Sequence, residues 1–239
     1  MPQSAIAIKL GGSVITDKST FKKADLGSIG ALCAAAGRLH AEGFRLIIVH
    51  GAGSYAHIPS KKYGLADGAN GAEGLLHFSE VHSLCEELST IIVNSLISHG
   101  VPAVSFHPAT FVLQENKKPK SIDDSMLLAY MEKGFTPVTH GDVVLDTVTG
   151  TSIISGDALM SHFGRGIAEK LIFASDVDGL LTSPDGDGEL IPEVNRENFG
   201  EVCGLVGGSR HVDVTGGMSG KIKGLMGLKV ESYLVNGKH

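Results

Sequence analysis

Residues 5–13 read AIAIKLGGS, and residues 45–54 read RLIIVHGAGS. Each is a short apolar run that stops at a glycine pair or a Gly-x-Gly turn, so each reads as a buried strand ending in a backbone turn. Between them, residues 26–42 carry apolar side chains at helical spacing and stop at Gly43, which predicts a helix. Strand, helix and second buried strand together predict a parallel pair joined by a crossover. The rhythm continues with a helix over 73–99 that stops at Gly100 and a strand over 101–106. It resumes with a helix over 157–164, a strand over 170–175, a helix over 219–226 and a strand over 229–234. The fold class expected is α/β, a three-layer αβα sandwich around a mainly parallel sheet. Four shorter runs, 110–114, 135–139, 143–146 and 152–154, are broken by turns such as Thr149-Gly150. They read as β-hairpins inserted in the chain and laid against the main sheet.

Composition bounds the rest. In 239 residues, 42% are hydrophobic and 19% charged, and the mean hydropathy is +0.14. This is a globular balance rather than a disordered one. No apolar run approaches the roughly 20 residues that span a bilayer, and the N-terminus lacks the basic and apolar blocks of a signal peptide. A cytoplasmic protein without a membrane partner is expected. A net charge of −6 provides no basic field for nucleic acid. Cys33, Cys85 and Cys203 are far apart and form no CxxC pair, so free buried thiols are expected. A chain this acidic must concentrate its cations locally if it binds an anion.

Five segments could do so. Lys9-Leu10-Gly11-Gly12-Ser13, with Lys18 close behind, ends a strand in successive backbone N–H groups suited to phosphate oxygens. A strand-ending turn with a solvated lysine is the plainer reading of that segment alone. His50-Gly51-Ala52-Gly53-Ser54-Tyr55-Ala56-His57 also follows a strand and fits a loose dinucleotide pattern. A Rossmann reading is disfavoured because the match follows the second strand and no acidic residue closes a later strand at the required distance. A second phosphate cradle with His57 as donor suits it better. Ser155-Gly156-Asp157 opens a predicted helix, where the acid either caps the helix or orients nearby lysines or a metal ion. In Ser175-Asp176-Val177-Asp178-Gly179, one carboxylate reads as a nucleotide or metal contact and the other as a turn former. Residues 213–221, DVTGGMSGK, fail the P-loop pattern because Ile222 follows Lys221. They leave a glycine turn entering a helix with a lysine in its first turn, a position the helix dipole favours only if an anion sits beside it.

Taken in this order, the five segments resemble the amino acid kinase superfamily, and within it the isopentenyl phosphate kinases. The resemblance runs from Lys9 to Lys221. His57 carries the subgroup, since a histidine after the glycine loop holds the acceptor phosphate in those kinases; fosfomycin kinases are similar at this point. The resemblance implies ATP and Mg2+ as cofactors and a small phosphate as substrate. Lys9, Gly11, Gly12, Ser13, Gly53, Asp176, Gly217 and Lys221 would hold ATP. Lys18 would stabilise the transferring group, and Asp157 would organise the lysines. Ala52, His57 and Gly156 would hold the acceptor phosphate. No residue is assigned as a metal ligand. Residues 1–239 are expected to form one amino acid kinase-like unit, with the acceptor half over about 1–155 and the nucleotide half over about 156–239. A homodimer is also implied.

Two substitutions depart from the family pattern. Ala52 stands where glycine is frequent, and Ala158 stands where a second aspartate is often seen. Relatives usually continue past the position of Asn236-Gly237 into a further helix and strand. Leu76, Phe78, Val81 and Leu84 on the helix over 73–99 are expected to wall an apolar pocket for the isoprenoid tail. Two rival readings are a fosfomycin kinase-like phosphotransferase and a non-catalytic sensor of the same fold.

Overall fold

β1 (Ala5–Leu10) lies between two parallel neighbours, β2 (Arg45–His50) and β9 (Lys170–Ser175). Its side chains alternate between two cores, as the period of two requires. Ile6, Ile8 and Leu10 enter one cluster and Ala5 and Ala7 the other. The computed structural model describes residues 5–17, 19–69, 71–183, 188–206 and 224–238. Among these, a six-stranded sheet runs β12-β9-β1-β2-β6-β3. It is completed by β3 (Ala103–Ser105), β6 (Thr136–His140) and β12 (Glu231–Asn236), all in parallel pairs.

Helices cover both faces. On one side α2 (Leu26–Ala41) and α4 (Gly71–Ser98) bury Ile29, Cys33, Leu88, Ile92 and Leu96. On the other, α5 (Ser125–Glu132) and α6 (Gly156–Phe163) bury Leu127, Met131, Leu159 and Phe163. The short α1 (Gly12–Ile15) follows β1, and α3 (Gly53–Tyr63) follows β2 and packs on α4. β4 (Val112–Glu115), β5 (Lys118–Ile122), β7 (Asp142–Asp146) and β8 (Gly150–Ile154) form a separate four-stranded sheet in the order β5-β4-β7-β8. It contains two hairpins, β4–β5 and β7–β8, joined by a parallel β4–β7 contact. β10 (Leu180–Leu181) and β11 (Leu190–Ile191) make a small antiparallel pair before α7 (Phe199–Val206). The three-layer α/β expectation is met.

One run belongs elsewhere. Residues 135–139, read as part of a hairpin, contribute β6, an inner strand of the main sheet between β2 and β3. All five of its residues are buried. Pro137 lacks a ladder donor, which argues against a central strand from sequence, but burial on both faces overrides that preference. α3 was not foreseen, because Gly53 opens it at φ +50 and Pro59 lies inside it. The expected helix over 219–226 falls mostly outside the described residues. Cys33 and Cys85 are buried free thiols, whereas Cys203 is partly exposed.

Candidate phosphate-binding cleft

The two glycine turns meet backbone against backbone. A Cβ on Gly51 would sit 2.5 Å from the amide nitrogen of Gly12, and one on Gly12 would sit 2.7 Å from that of Gly53. No side chain fits at either place, so glycine is required by the packing of one turn on the other. Thr16 locks the pair. Its hydroxyl donates to the Gly12 carbonyl at 2.7 Å and accepts from the Ser54 amide at 3.0 Å.

Above these turns a cleft of about 530 Å³ opens at the carboxyl ends of β1, β2, β6 and β9. The first turns of α1, α3 and α6 all contribute to its wall through Ser13, Ser54 and Asp157. Helix first turns leave amide donors unpaired and carry a positive partial charge, so their convergence favours an anion. Lys9 adds a full charge. Its ammonium lies 2.7 Å from Asp157 Oδ1, with the lysine side chain 13% exposed and the aspartate 32%. The Lys9 Cε atom is 3.4 Å from where a Cβ on Gly156 would stand, so the glycine leaves the lysine its path across the helix start. Ser155 caps α6 by accepting from the Ala158 amide at 3.1 Å. Asp157 is therefore spared the capping role and faces the lysine.

Across the strand ends, Ser13 Oγ donates to Asp176 Oδ1 at 2.9 Å. Asp178 accepts from Asn236 Nδ2 at 2.6 Å and ties the loop after β9 to β12. The two carboxylates thus take different partners, Asp176 the cleft residue Ser13 and Asp178 the strand residue Asn236. Gly11 donates its amide to the Ala174 carbonyl at 2.9 Å and closes the floor. Ala52, Gly53, His57 and Gly156 all line the cleft, and His57 is an exposed side chain on the second turn of α3 rather than on a loop. Lys18, Gly217 and Lys221 lie outside the described residues.

Of the four expected wall residues, only Val81 lines the cleft. Leu76 is 69% exposed, Phe78 packs into a small cluster with Ala56 and Leu65, and Leu84 packs on the α2 side of the sheet. Val143 and Ile153, from β7 and β8, complete the apolar end instead. Gly141 and Asp142 were also missed. Their signal was present as a repeated strand–His–Gly pattern, Val49-His50-Gly51 and Thr139-His140-Gly141. β2 and β6 place His50 and His140 in register, and the two rings stack with centroids 5.0 Å apart. Burial pushes His50 down to about 4 and His140 down to about 3, so both are neutral imidazoles at pH 7.

A cleft at the carboxyl ends of parallel strands, ringed by helix first turns and entered by a lysine, defines a phosphate-handling α/β protein. The sequence pattern of the amino acid kinase family matches residues 4–232. The chain is 34% identical to an isopentenyl phosphate kinase of Methanothermobacter thermautotrophicus, covering 97% of this chain and 90% of the relative. It is 32% identical to the same kinase of Methanocaldococcus jannaschii, covering 96% and 90%. A solved structure described as "X-ray structures of isopentenyl phosphate kinase" superposes with a TM-score of 0.81 at 32% identity, over 98% of this chain and 92% of that one. The chain belongs to the amino acid kinase family, on its isopentenyl phosphate kinase branch.

Proposed function

We propose that the protein is an ATP-dependent kinase that converts isopentenyl phosphate, and related small alkyl monophosphates, to the diphosphate. The observation that carries this reading is His57. It lines the same cleft as the first turns of α3 and α6 and the apolar side chains of Val81, Val143 and Ile153. A cation or donor beside an apolar wall suits a phosphate with a short hydrocarbon tail. A carboxylate acceptor such as glutamate would leave that wall unused.

Transfer of a phosphoryl group needs in-line placement and positive charge around the moving group, with little covalent work by the protein. A phosphate monoester is already nucleophilic at neutral pH, so no general base is required. His57 and the amides near Ala52 and Gly156 position the acceptor. The turn from Gly11 to Ser13, with Gly53, holds the donor phosphates, and Asp176 fixes Ser13 for that task. Lys9 spans the two, oriented by Asp157. Lys18, Gly217 and Lys221 are assigned to the transition state and the nucleotide from sequence alone. The helix first turns and the Lys9 ammonium around the cleft fit the phosphates of a nucleotide and its Mg2+. Bound there, Mg2+ would offset charge on the phosphate oxygens. We carry residues 1–239 as one unit, cytoplasmic and homodimeric; static light scattering at working concentration tests the dimer.

The deciding experiment supplies purified protein and Mg-ATP with isopentenyl phosphate, dimethylallyl phosphate, fosfomycin or glutamate, and follows ADP release. Turnover confined to the first two is expected. Turnover with fosfomycin alone would transfer the reading to that kinase, and none at all would favour a binding module.

A further inference from the structure

α4 packs Leu88, Ile92 and Leu96 against the sheet, all fully buried. Toward its N-terminus that face turns polar. His82, Cys85, Glu86 and Ser89 follow at i, i+3, i+4 and i+7, the spacing of one helix face. They lie near the carboxyl ends of β2, β6 and β3, three neighbouring strands that end at or lead into His50, His140 and His107. Polar groups buried in such a place cost stability unless they are paired.

The pairing is a closed ring. His82 Nδ1 lies 2.7 Å from Asp142 Oδ2, and Asp142 Oδ1 accepts from the Val143 amide at 2.8 Å. Glu86 Oε1 is 3.3 Å from His82 Nε2 and 3.5 Å from His107 Nε2. His107 Nδ1 is 3.2 Å from His140 Nε2. When each Nε2–H donates outward, from His140 to His107 and from His107 to Glu86, the Nδ1 lone pair of His140 faces inward. That tautomer gives up the hydrogen bond in which His140 Nδ1–H donates to the Gly141 carbonyl at 3.2 Å, and it leaves Nδ1 4.0 Å from Asp142 Oδ2. In that tautomer the hollow presents two electron-pair donors, His140 Nδ1 and the Asp142 carboxylate. Cys85 joins it: one ligand-type atom from each of Cys85, His140 and Asp142 lies within 4.8 Å of the others. These residues are 0%, 0% and 3% exposed. A further imidazole nitrogen, Nε2 of the fully buried His50 stacked on His140, has no hydrogen-bond partner among the described residues.

We propose that Cys85, His140 and Asp142 form a binding site for one divalent transition metal ion of the zinc class, separate from the magnesium that accompanies a nucleotide. Thiolate, imidazole and carboxylate together select Zn2+ or Co2+ over the hard Mg2+. Three protein ligands leave a fourth position on a tetrahedral ion. The outer partners are in place: His107 orients His140, while His82 and the Val143 amide hold Asp142, the kind of support that fixes ligand geometry. Asp142 also lines the phosphate cleft, so the cluster adjoins it. On binding, the Cys85 thiol gives its proton to solvent and its sulfur to the metal. The proposal rests on this cluster and not on the identity of the phosphate acceptor.

The full-length protein, reduced and stripped of metal by chelator, would be titrated with Co2+ and followed by absorption. One equivalent per chain should produce a thiolate-to-cobalt charge-transfer band in the near ultraviolet with tetrahedral d–d bands. Cys85→Ser should lose the band and Cys203→Ser should keep it. Zn2+ should raise the wild-type Tm by several degrees where Mg2+ alone does not. If Cys85→Ser fails to fold, X-ray absorption of the wild-type zinc form decides. One sulfur at about 2.3 Å with nitrogen or oxygen neighbours at about 2.0–2.2 Å is expected. A saturating titration without the band, a band that survives in folded Cys85→Ser, or a zinc shell without sulfur would overturn the site.

Discussion

His57, Lys9 and Gly12 illustrate three ways in which one residue can matter. His57 is exposed and under the proposed function would act through its ring, so His57→Ala should raise the acceptor KM at least tenfold and leave the KM for ATP unchanged. Steady-state kinetics with each substrate varied in turn checks this, and an unchanged acceptor KM would remove His57 from the site. Lys9 sits 2.7 Å from Asp157 and under the proposed function would contribute charge where the phosphoryl group moves. Lys9→Ala should lower kcat by about 10²–10³-fold, the usual cost of losing one preorganised donor, and single-turnover rates would report it. Gly12 matters through what it lacks. Gly12→Ala places a methyl 2.7 Å from the Gly53 amide nitrogen, an overpacking that should cost about 1–3 kcal/mol, seen as a lowered Tm. At this scale the sequence was informative wherever a residue type was unusual for its position, as with two glycine turns after buried strands. It was silent on Thr16, whose hydroxyl joins the Gly12 carbonyl to the Ser54 amide, the latter 38 residues further along.

Elements follow local rules that can be tested one at a time. Asp25 caps α2 by accepting from the Ser28 amide at 2.9 Å and also accepts from Lys238 at 2.6 Å. Lys238 first, and the Ser28 amide second, hold its carboxyl down to about 2 from an ordinary 3.8. The cap therefore contributes fully above the unfolded value and is lost as pH falls through about 2. Asp25→Ala should cost about 1 kcal/mol at pH 7, and the gap from wild type in denaturant melts should narrow as pH drops from 4 toward 2. In the same helix, a Cβ on Gly30 would touch nothing within 4 Å. Gly30→Ala should stabilise by about 0.5–1 kcal/mol, the opposite sign to Gly12→Ala. The long helices were readable because α2 and α4 carry sustained apolar spacing and stop at glycine. α3 was not, since Pro59 and a positive-φ Gly53 read locally as loop, while packing on α4 holds the helix together.

The whole molecule depends on two cores separated by one sheet, with the cleft at the sheet's end. Phe163 closes α6 and is fully buried on the α5 side. Phe163→Ala should cost about 3–5 kcal/mol, measurable by denaturant unfolding, because no neighbouring side chain can fill an aromatic volume. Apolar runs ending in glycine, and helices between them, determined from sequence alone that parallel strands would present backbone turns to an anion at one edge. Those are local properties of period and punctuation, and they survive any arrangement of the strands. Which turns face each other is a different matter, decided only by tertiary structure. The order β12-β9-β1-β2-β6-β3 brings Ser13 to Asp176, Lys9 to Asp157 and the glycines of β1 and β2 into contact. It also draws Thr136–His140 into the sheet as β6 and sets Cys85, His140 and Asp142 together near the cleft. Cys85 meets His140 and Asp142 from a distant part of the chain because strand order and burial, which no local window records, determine who becomes whose neighbour.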